Sequence, residues 1–286
     1  MKTVIAGAVL ALVAGLAQVA RQIVGQKDRR AGSGQGPAET AWRCARHLRA
    51  GKILMARAPT PKTEIDHLVV AAATLAEGIG YVELALGVQV PLGGKHPRMN
   101  THNAVMRLGP SVYFEIIAID PDAGPPEASR WFSLDDPAMR QRLATTGPFL
   151  ITYVARTKNL DLVAKASKVD IGPIQSMSRG DLSWRAAIPL DGGLKSGGLF
   201  PGLIIEWPEG PHPMEKMADF GMTLERLVAR TERPSELREQ LAAIGLNSGI
   251  DIQPARLNAD PLEASIRLAD GSSRFLTGGG CPPSSP

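Results

Sequence analysis

Residues 64–71 read Glu64-Ile65-Asp66-His67-Leu68-Val69-Val70-Ala71, and this stretch decides the fold. It is a β-rich run whose alternation puts His67 on one face and Leu68 on the other. Just beyond it, Thr74-Leu75-Ala76-Glu77 fits a capping box, in which Thr74 accepts from the Glu77 amide and Glu77 reaches back. Leu75, Ile79, Val82 and Leu86 then repeat at helical spacing, and Gly87 is placed to end that helix. Short strands follow at 88–91, 102–108 and 112–119, with Gly109-Pro110 turning between the last two. The order is β-α-β-β-β.

The same order recurs. Residues 149–155 form a strand, 160–166 a short helix capped near Asn159, and 171–178, 182–188 and 199–207 three more strands. The modules thus run over 63–120 and 149–210, a spacing that points to duplication rather than a solenoid. Laying Leu75 over Leu160 makes His67 correspond to Thr152. Likewise Glu115, in Tyr-Phe-Glu-Ile-Ile, corresponds to Glu206 in Leu-Ile-Ile-Glu-Trp. A third, partial βαββ unit spans 221–277: Pro234 suits a first helical turn, and Leu237, Leu241 and Ile244 line one face before Gly245. Arg226 stands there where His67 stands in the first copy. Residues 278–286 form a Gly/Pro/Ser tail without structure to assign.

The chain has 286 residues and a net charge of +4, which raises the question of a nucleic-acid partner. The surplus belongs to the N-terminal extension: residues 1–54 hold nine Lys/Arg against two Asp/Glu, leaving 23 basic and 26 acidic residues beyond. The body lacks the footprint of a phosphate binder, so no nucleic-acid partner is expected. Val4 to Ala17 is an apolar run, short for a membrane span and of the right length for a signal-peptide core. The basic stretch that follows, to residue 62, reads as a disordered linker. Three readings of the extension stand: an export signal, a membrane anchor (the one case that makes the membrane a partner), or a translation start at Met55. Localisation stays open between them. Cys44 and Cys281, in the two tails, form no motif and read as incidental thiols.

Several segments together resemble bacterial glyoxalase-like domain proteins: Ile65-Asp-His-Leu-Val-Val, Gly93-Gly-Lys-His-Pro, Thr101-His-Asn and Tyr113-Phe-Glu-Ile-Ile-Ala-Ile-Asp-Pro121. Arg130-Trp-Phe-Ser-Leu134 and Trp207 with Pro211-His-Pro213 are similar to the same pattern, so the resemblance covers roughly residues 63–215. That family lies in the vicinal-oxygen-chelate superfamily. The resemblance implies an α+β fold in which tandem βαβββ modules form an open, curved mixed sheet around a cavity. It leaves a homodimer open. In metal-using members the ligands come from the first and last strands of each module.

Carried over position by position, the ligand candidates are His67, Glu115 and Glu206. Imidazole plus carboxylates suits a divalent Zn, Mn, Fe or Ni ion with positions left for a chelating substrate. Such an ion would polarise a small molecule with adjacent oxygens, with Glu206 or Glu115 as catalytic base in an isomerase or lyase reaction. The fourth position, Thr152, is a poor ligand and departs from the pattern. A carboxylate facing inward from an apolar strand is costly without a partner, which favours a site role for Glu115 and for Glu206. His102 and Asn103, at a strand start, are ligand-contact candidates or satisfy backbone groups. His96 and His212 stand in loops, where functional residues concentrate. Trp131 forms a cavity wall or plugs the core. Two functions follow: a metal-dependent enzyme, or a non-catalytic protein that sequesters a small molecule in the same cavity.

Overall fold

The computed structural model describes residues 59–278. The apolar N-terminal run, the basic linker up to residue 58, Met55, both cysteines and residues 279–286 lie outside the described residues. No helix among the described residues is long and apolar enough to cross a membrane.

The first module is β1 (Thr63–Ala71), α1 (Leu75–Leu86), β2 (Leu92–His96), β3 (Thr101–Arg107) and β4 (Tyr113–Ile119). The capping box forms as expected: the Thr74 hydroxyl accepts from the Glu77 amide, Glu77 accepts from the Thr74 amide, and Gly87 ends α1 at φ 71°. One strand is displaced from its expected place. Residues 88–91 are not a strand, because the Val90 amide is taken by the Glu83 carboxylate at 2.9 Å. β2 forms instead on the Gly-Gly-Lys-His run, drawn into the sheet by pairing with β3. The second module is β5 (Phe149–Thr157), α3 (Leu160–Ala166, capped by Asn159), β6 (Ile174–Arg179), β7 (Leu182–Ala187) and β8 (Leu203–Glu206). Between the modules lies α2 (Pro137–Thr146), capped by Asp136, with Leu143 its one buried residue.

These eight strands form one curved mixed sheet in the order β2-β3-β4-β1-β5-β8-β7-β6. β1 runs parallel to β4, β5 parallel to β8, and β1 meets β5 antiparallel at the centre, so the two modules join along their first strands. Alternation then sorts the apolar side chains into two cores. Leu68, Val70, Phe114, Ile116 and Tyr153 pack on the helix side. Val69, Ala71, Ile117, Ile151, Leu203 and Ile205 pack on the opposite side with Trp131 and Phe132.

The C-terminal unit is β9 (Thr223–Thr231), α4 (Pro234–Ala243), β10 (Asp251–Pro254), β11 (Leu262–Arg267) and β12 (Ser273–Thr277). Its sheet order is β10-β9-β11-β12, with β12 a fifth element beyond the expected four. Leu237, Leu241 and Ile244 pack into the same core as Leu68 and Tyr153.

Candidate functional site

Two β-bulges where β1 crosses β5 shape the site. The register runs Ile65↔Ala155, then His67↔Val154, so Asp66 is an extra residue on β1. A bulge re-aims the side chain it inserts. Here it lets the Asp66 carboxylate reach the ring of its own neighbour: Asp66 Oδ1 accepts from His67 Nδ1 at 2.7 Å. Asp66 Oδ2 accepts from Trp207 Nε1 at 3.1 Å and from His212 Nε2 at 3.0 Å. Burial opposes the Asp66 charge, but the hydrogen bonds from His212 and His67 outweigh it and hold the carboxyl far below its ordinary range. Asp66 was not among the expected site residues; strict alternation would have turned it away.

On the other side of the ring, His67 Nε2 lies 3.4 Å from Glu115 Oε2. Burial alone would push the imidazole down, but the bonds to Asp66 and Glu115 raise it to about 9. His67 is therefore an imidazolium between two carboxylates, stacked on the Tyr113 ring at 4.2 Å. Burial likewise opposes the charge of Glu115, and His67 and Asn103 bring it down to about 2.

A second polar layer surrounds this ion pair. Asn103 Nδ2 donates to Glu115 Oε1 at 2.6 Å, and Asn103 Oδ1 accepts from the Gly94 amide at 2.9 Å. Gly93 is needed there, since a Cβ on it would stand 2.2 Å from Asn103 Oδ1. Arg179, at the end of β6, reaches across from the second module. Its Nη1 donates to Asn103 Oδ1 at 3.1 Å and to His96 Nε2 at 3.0 Å. Burial lowers His96 to about 4, so its ring is neutral and able to accept. Arg179, too, was not foreseen, because no local signal marks a strand-end arginine that bridges modules.

The cavity these groups border is narrow, with room for the centres of water-sized molecules of about 50 Å³. His67, His96, Asn103, Tyr113, Glu115 and Arg179 form its polar end. The rest is apolar and aromatic, with Trp131, Phe132, Leu182, Trp184, Leu203, Ile205 and Trp207 among the walls. Trp131 and Phe132 are set by a turn in which Phe132 (φ 60°) and Ser133 (φ 57°) both adopt the left-handed region, a conformation that costs about 1–3 kcal/mol per residue unless packing enforces it. The indole Nε1 of Trp131 is buried without a hydrogen-bond partner.

Of the candidate residues, His67, Glu115, His96, Asn103 and Trp131 line this one cavity, and three others lie outside it. Glu206 faces the helix side: Oε2 accepts from the Leu160 amide at 2.6 Å, where α3 begins, and Oε1 accepts from Arg185 at 2.9 Å. His102 shares its strand face with Ala104 and Met106, whose side chains pack in the helix-side core. His212 lies beyond Asp66 in a separate cleft with Lys62 and Arg156, its Nδ1 accepting from the Met214 amide. It anchors the Trp207–Pro213 loop to β1.

In the second module Val154 pairs with Leu203 and Arg156 with Ile205, as His67 pairs with Tyr113 and Val69 with Glu115 in the first. Alternation on β8 puts Leu203 and Ile205 in the cavity wall and turns Glu206 to the other face. Thr152 is buried, its hydroxyl donating to the Gly198 carbonyl at 2.9 Å.

These donors do not fit a divalent ion. A catalytic site needs about three protein ligands. His67 and Glu115 supply two, Glu206 faces the helix side, and the second module lines its share of the cavity with Leu203 and Ile205. Among the described residues no cluster of three His, Cys, Asp or Glu is placed to hold a metal. The cavity also takes in the guanidinium of Arg179, which would repel a cation.

Residues 65–245 match the sequence profile of a family described as a glyoxalase-like domain. Similar solved structures include a hypothetical protein from Staphylococcus aureus, 10% identical over 75% of this chain and 85% of that one, with a TM-score of 0.46. Another is methylmalonyl-CoA epimerase from Mycobacterium tuberculosis, 16% identical over 55% and 95%, with a TM-score of 0.34. A third is a variant of 4-hydroxymandelate synthase from Streptomyces coelicolor, 12% identical over 75% and 62%, with a TM-score of 0.37. None of these likenesses bears on activity. No curated protein matches.

Proposed function

We propose that this chain, which belongs to the glyoxalase-like domain family of the vicinal-oxygen-chelate superfamily, binds a small, largely apolar molecule in the β1–β4 and β5–β8 cavity without a metal ion and without turning it over. The observation that carries this reading is that both buried carboxylates are already paired, Glu115 with His67, and Asp66 with His67 and with Arg156, whose Nη1 lies 3.6 Å from Asp66 Oδ2. A base drawn down to about 2 is far from the working range for taking a proton from carbon at neutral pH. A charged His67, with Nδ1 bonded to Asp66 and Nε2 facing Glu115, has no free lone pair for a substrate proton. What the cavity offers a ligand is apolar and aromatic area with few polar groups, the usual make-up of a small-molecule site.

Trp131, Trp184 and Trp207 all line the cavity, so occupancy is readable from intrinsic fluorescence. Titration of the full chain with 3-phenylpropan-1-ol, a neutral aromatic probe, is expected to give a saturable one-to-one change. The alcohol should be recovered unaltered, and Val105→Phe, which fills the lining, should abolish the change. A response that never saturates, or one that survives Val105→Phe, would overturn the reading. Consumption of the alcohol would return the weight to an enzyme.

A further inference from the structure

We propose, resting on the binding reading above, that the ligand is a small carboxylate with a flat apolar body, its anionic end held by Arg179. The polar groups of the cavity are unequally spent. The carboxylate, amide and imidazole acceptors are engaged: both Glu115 oxygens by His67 and Asn103, Asn103 Oδ1 by Gly94 and Arg179, and His96 Nε2 by Arg179. The unspent groups are donors. Arg179 uses only Nη1 within the described residues, which leaves Nε and Nη2. These two share one edge of the planar guanidinium and form the fork that matches the two oxygens of a carboxylate. A cavity with spare donors and spent acceptors selects an acceptor.

Charge points the same way. The His67 charge is balanced by Glu115 and that of Asp66 by Arg156, whereas Arg179 makes no ion pair among the described residues and bonds only to a neutral amide and a neutral imidazole. An incoming ammonium would meet like charge and no open oxygen. An incoming carboxylate would complete the guanidinium. Gly94 leaves room for this arm, since a Cβ there would stand 3.3 Å from Arg179 Cδ. The apolar remainder of the ligand would lie against Trp184, Trp207, Leu203 and Ile205.

The test compares three probes of one shape on the full chain by fluorescence titration: 3-phenylpropanoate, 3-phenylpropanamide and 3-phenylpropylamine. The acid should bind at least tenfold more tightly than the amide, the gain expected for a hydrogen-bonded charge, and the amine most weakly. Arg179→Met should erase the preference for acid while keeping amide binding, which also shows that the variant is folded. Arg179→Lys, with charge but no fork, should keep only part of the preference, and added salt should weaken acid binding in the parent alone. Equal affinity for acid and amide, or a preference that survives Arg179→Met, would overturn the ligand class and leave the binding reading standing. No saturation by any of the three, or by 3-phenylpropan-1-ol, would overturn both.

Discussion

The two modules share a scaffold but not a cavity face. Where β1 and β4 present His67 and Glu115, β8 presents Leu203 and Ile205. The first module contributes a buried ion pair, and the second contributes apolar wall plus one arginine at its far edge. A duplicated sheet in which each half supplied ligands would converge on a metal. This one instead has a polar pole that neutralises itself and an apolar pole that offers surface. The difference lies in a few positions on strands whose backbones pair in the same way.

The largest effect should come from removing the polar pole. His67→Leu strands Glu115 as a buried carboxylate and takes one of the partners of Asp66, and leaving a buried charge uncompensated costs about 3–5 kcal/mol. Urea denaturation should show that loss at pH 7 and partial recovery in acid, where the carboxylates protonate. Stability close to that of the parent would mean that the ion pair is not formed. The converse change, Ile205→Glu, puts one unpaired carboxylate into the apolar pole. It should cost somewhat less, about 2–4 kcal/mol, because no second carboxylate loses a partner. A neutral outcome would show that this wall is already wet.

The pH dependence sharpens the same contrast. His67 titrates at about 9 when folded against an ordinary 6.5, so its contribution is complete below 6.5 and is lost as pH rises through 9. Glu115, at about 2 against 4.5, contributes fully above 4.5 and loses that as pH falls through 2. Thermal melts of the parent should therefore fall between pH 6.5 and 9.5, and those of His67→Leu should lack this fall. Parallel curves would contradict the charged imidazole. The smallest effect belongs to Glu206→Ala, which removes the acceptor at the start of α3. It should cost about 1 kcal/mol, as for other helix N-terminal acceptors, and leave 3-phenylpropanoate affinity unchanged. A drop in affinity would place Glu206 in the cavity after all.

Much of this was legible in the sequence because its signals are local. Thr74 and Glu77 announce α1, Asn159 announces α3, and alternation turns His67 and Glu115 to one face. The failures share a cause in non-local structure. Asp66 and the phase of β5 depend on bulges that only strand pairing creates. Glu206 has the inward-looking pattern of Glu115, yet its partners are an amide opening α3 and an arginine on β7. Arg179 gains its role only when β6 comes near β2 and β3. α2 carries too little apolar periodicity to declare itself, and β2 forms on two glycines because a neighbouring edge awaits it.

The most direct measurement is metal content by plasma mass spectrometry on the full chain purified without chelators, alongside the 3-phenylpropan-1-ol titration before and after exhaustive chelation. Well under one equivalent of any divalent ion, with unchanged probe affinity, is the expected result. Near-stoichiometric metal, or binding that vanishes on chelation and returns with Zn²⁺, Mn²⁺, Fe²⁺ or Ni²⁺, would contradict a self-neutralised, metal-free cavity.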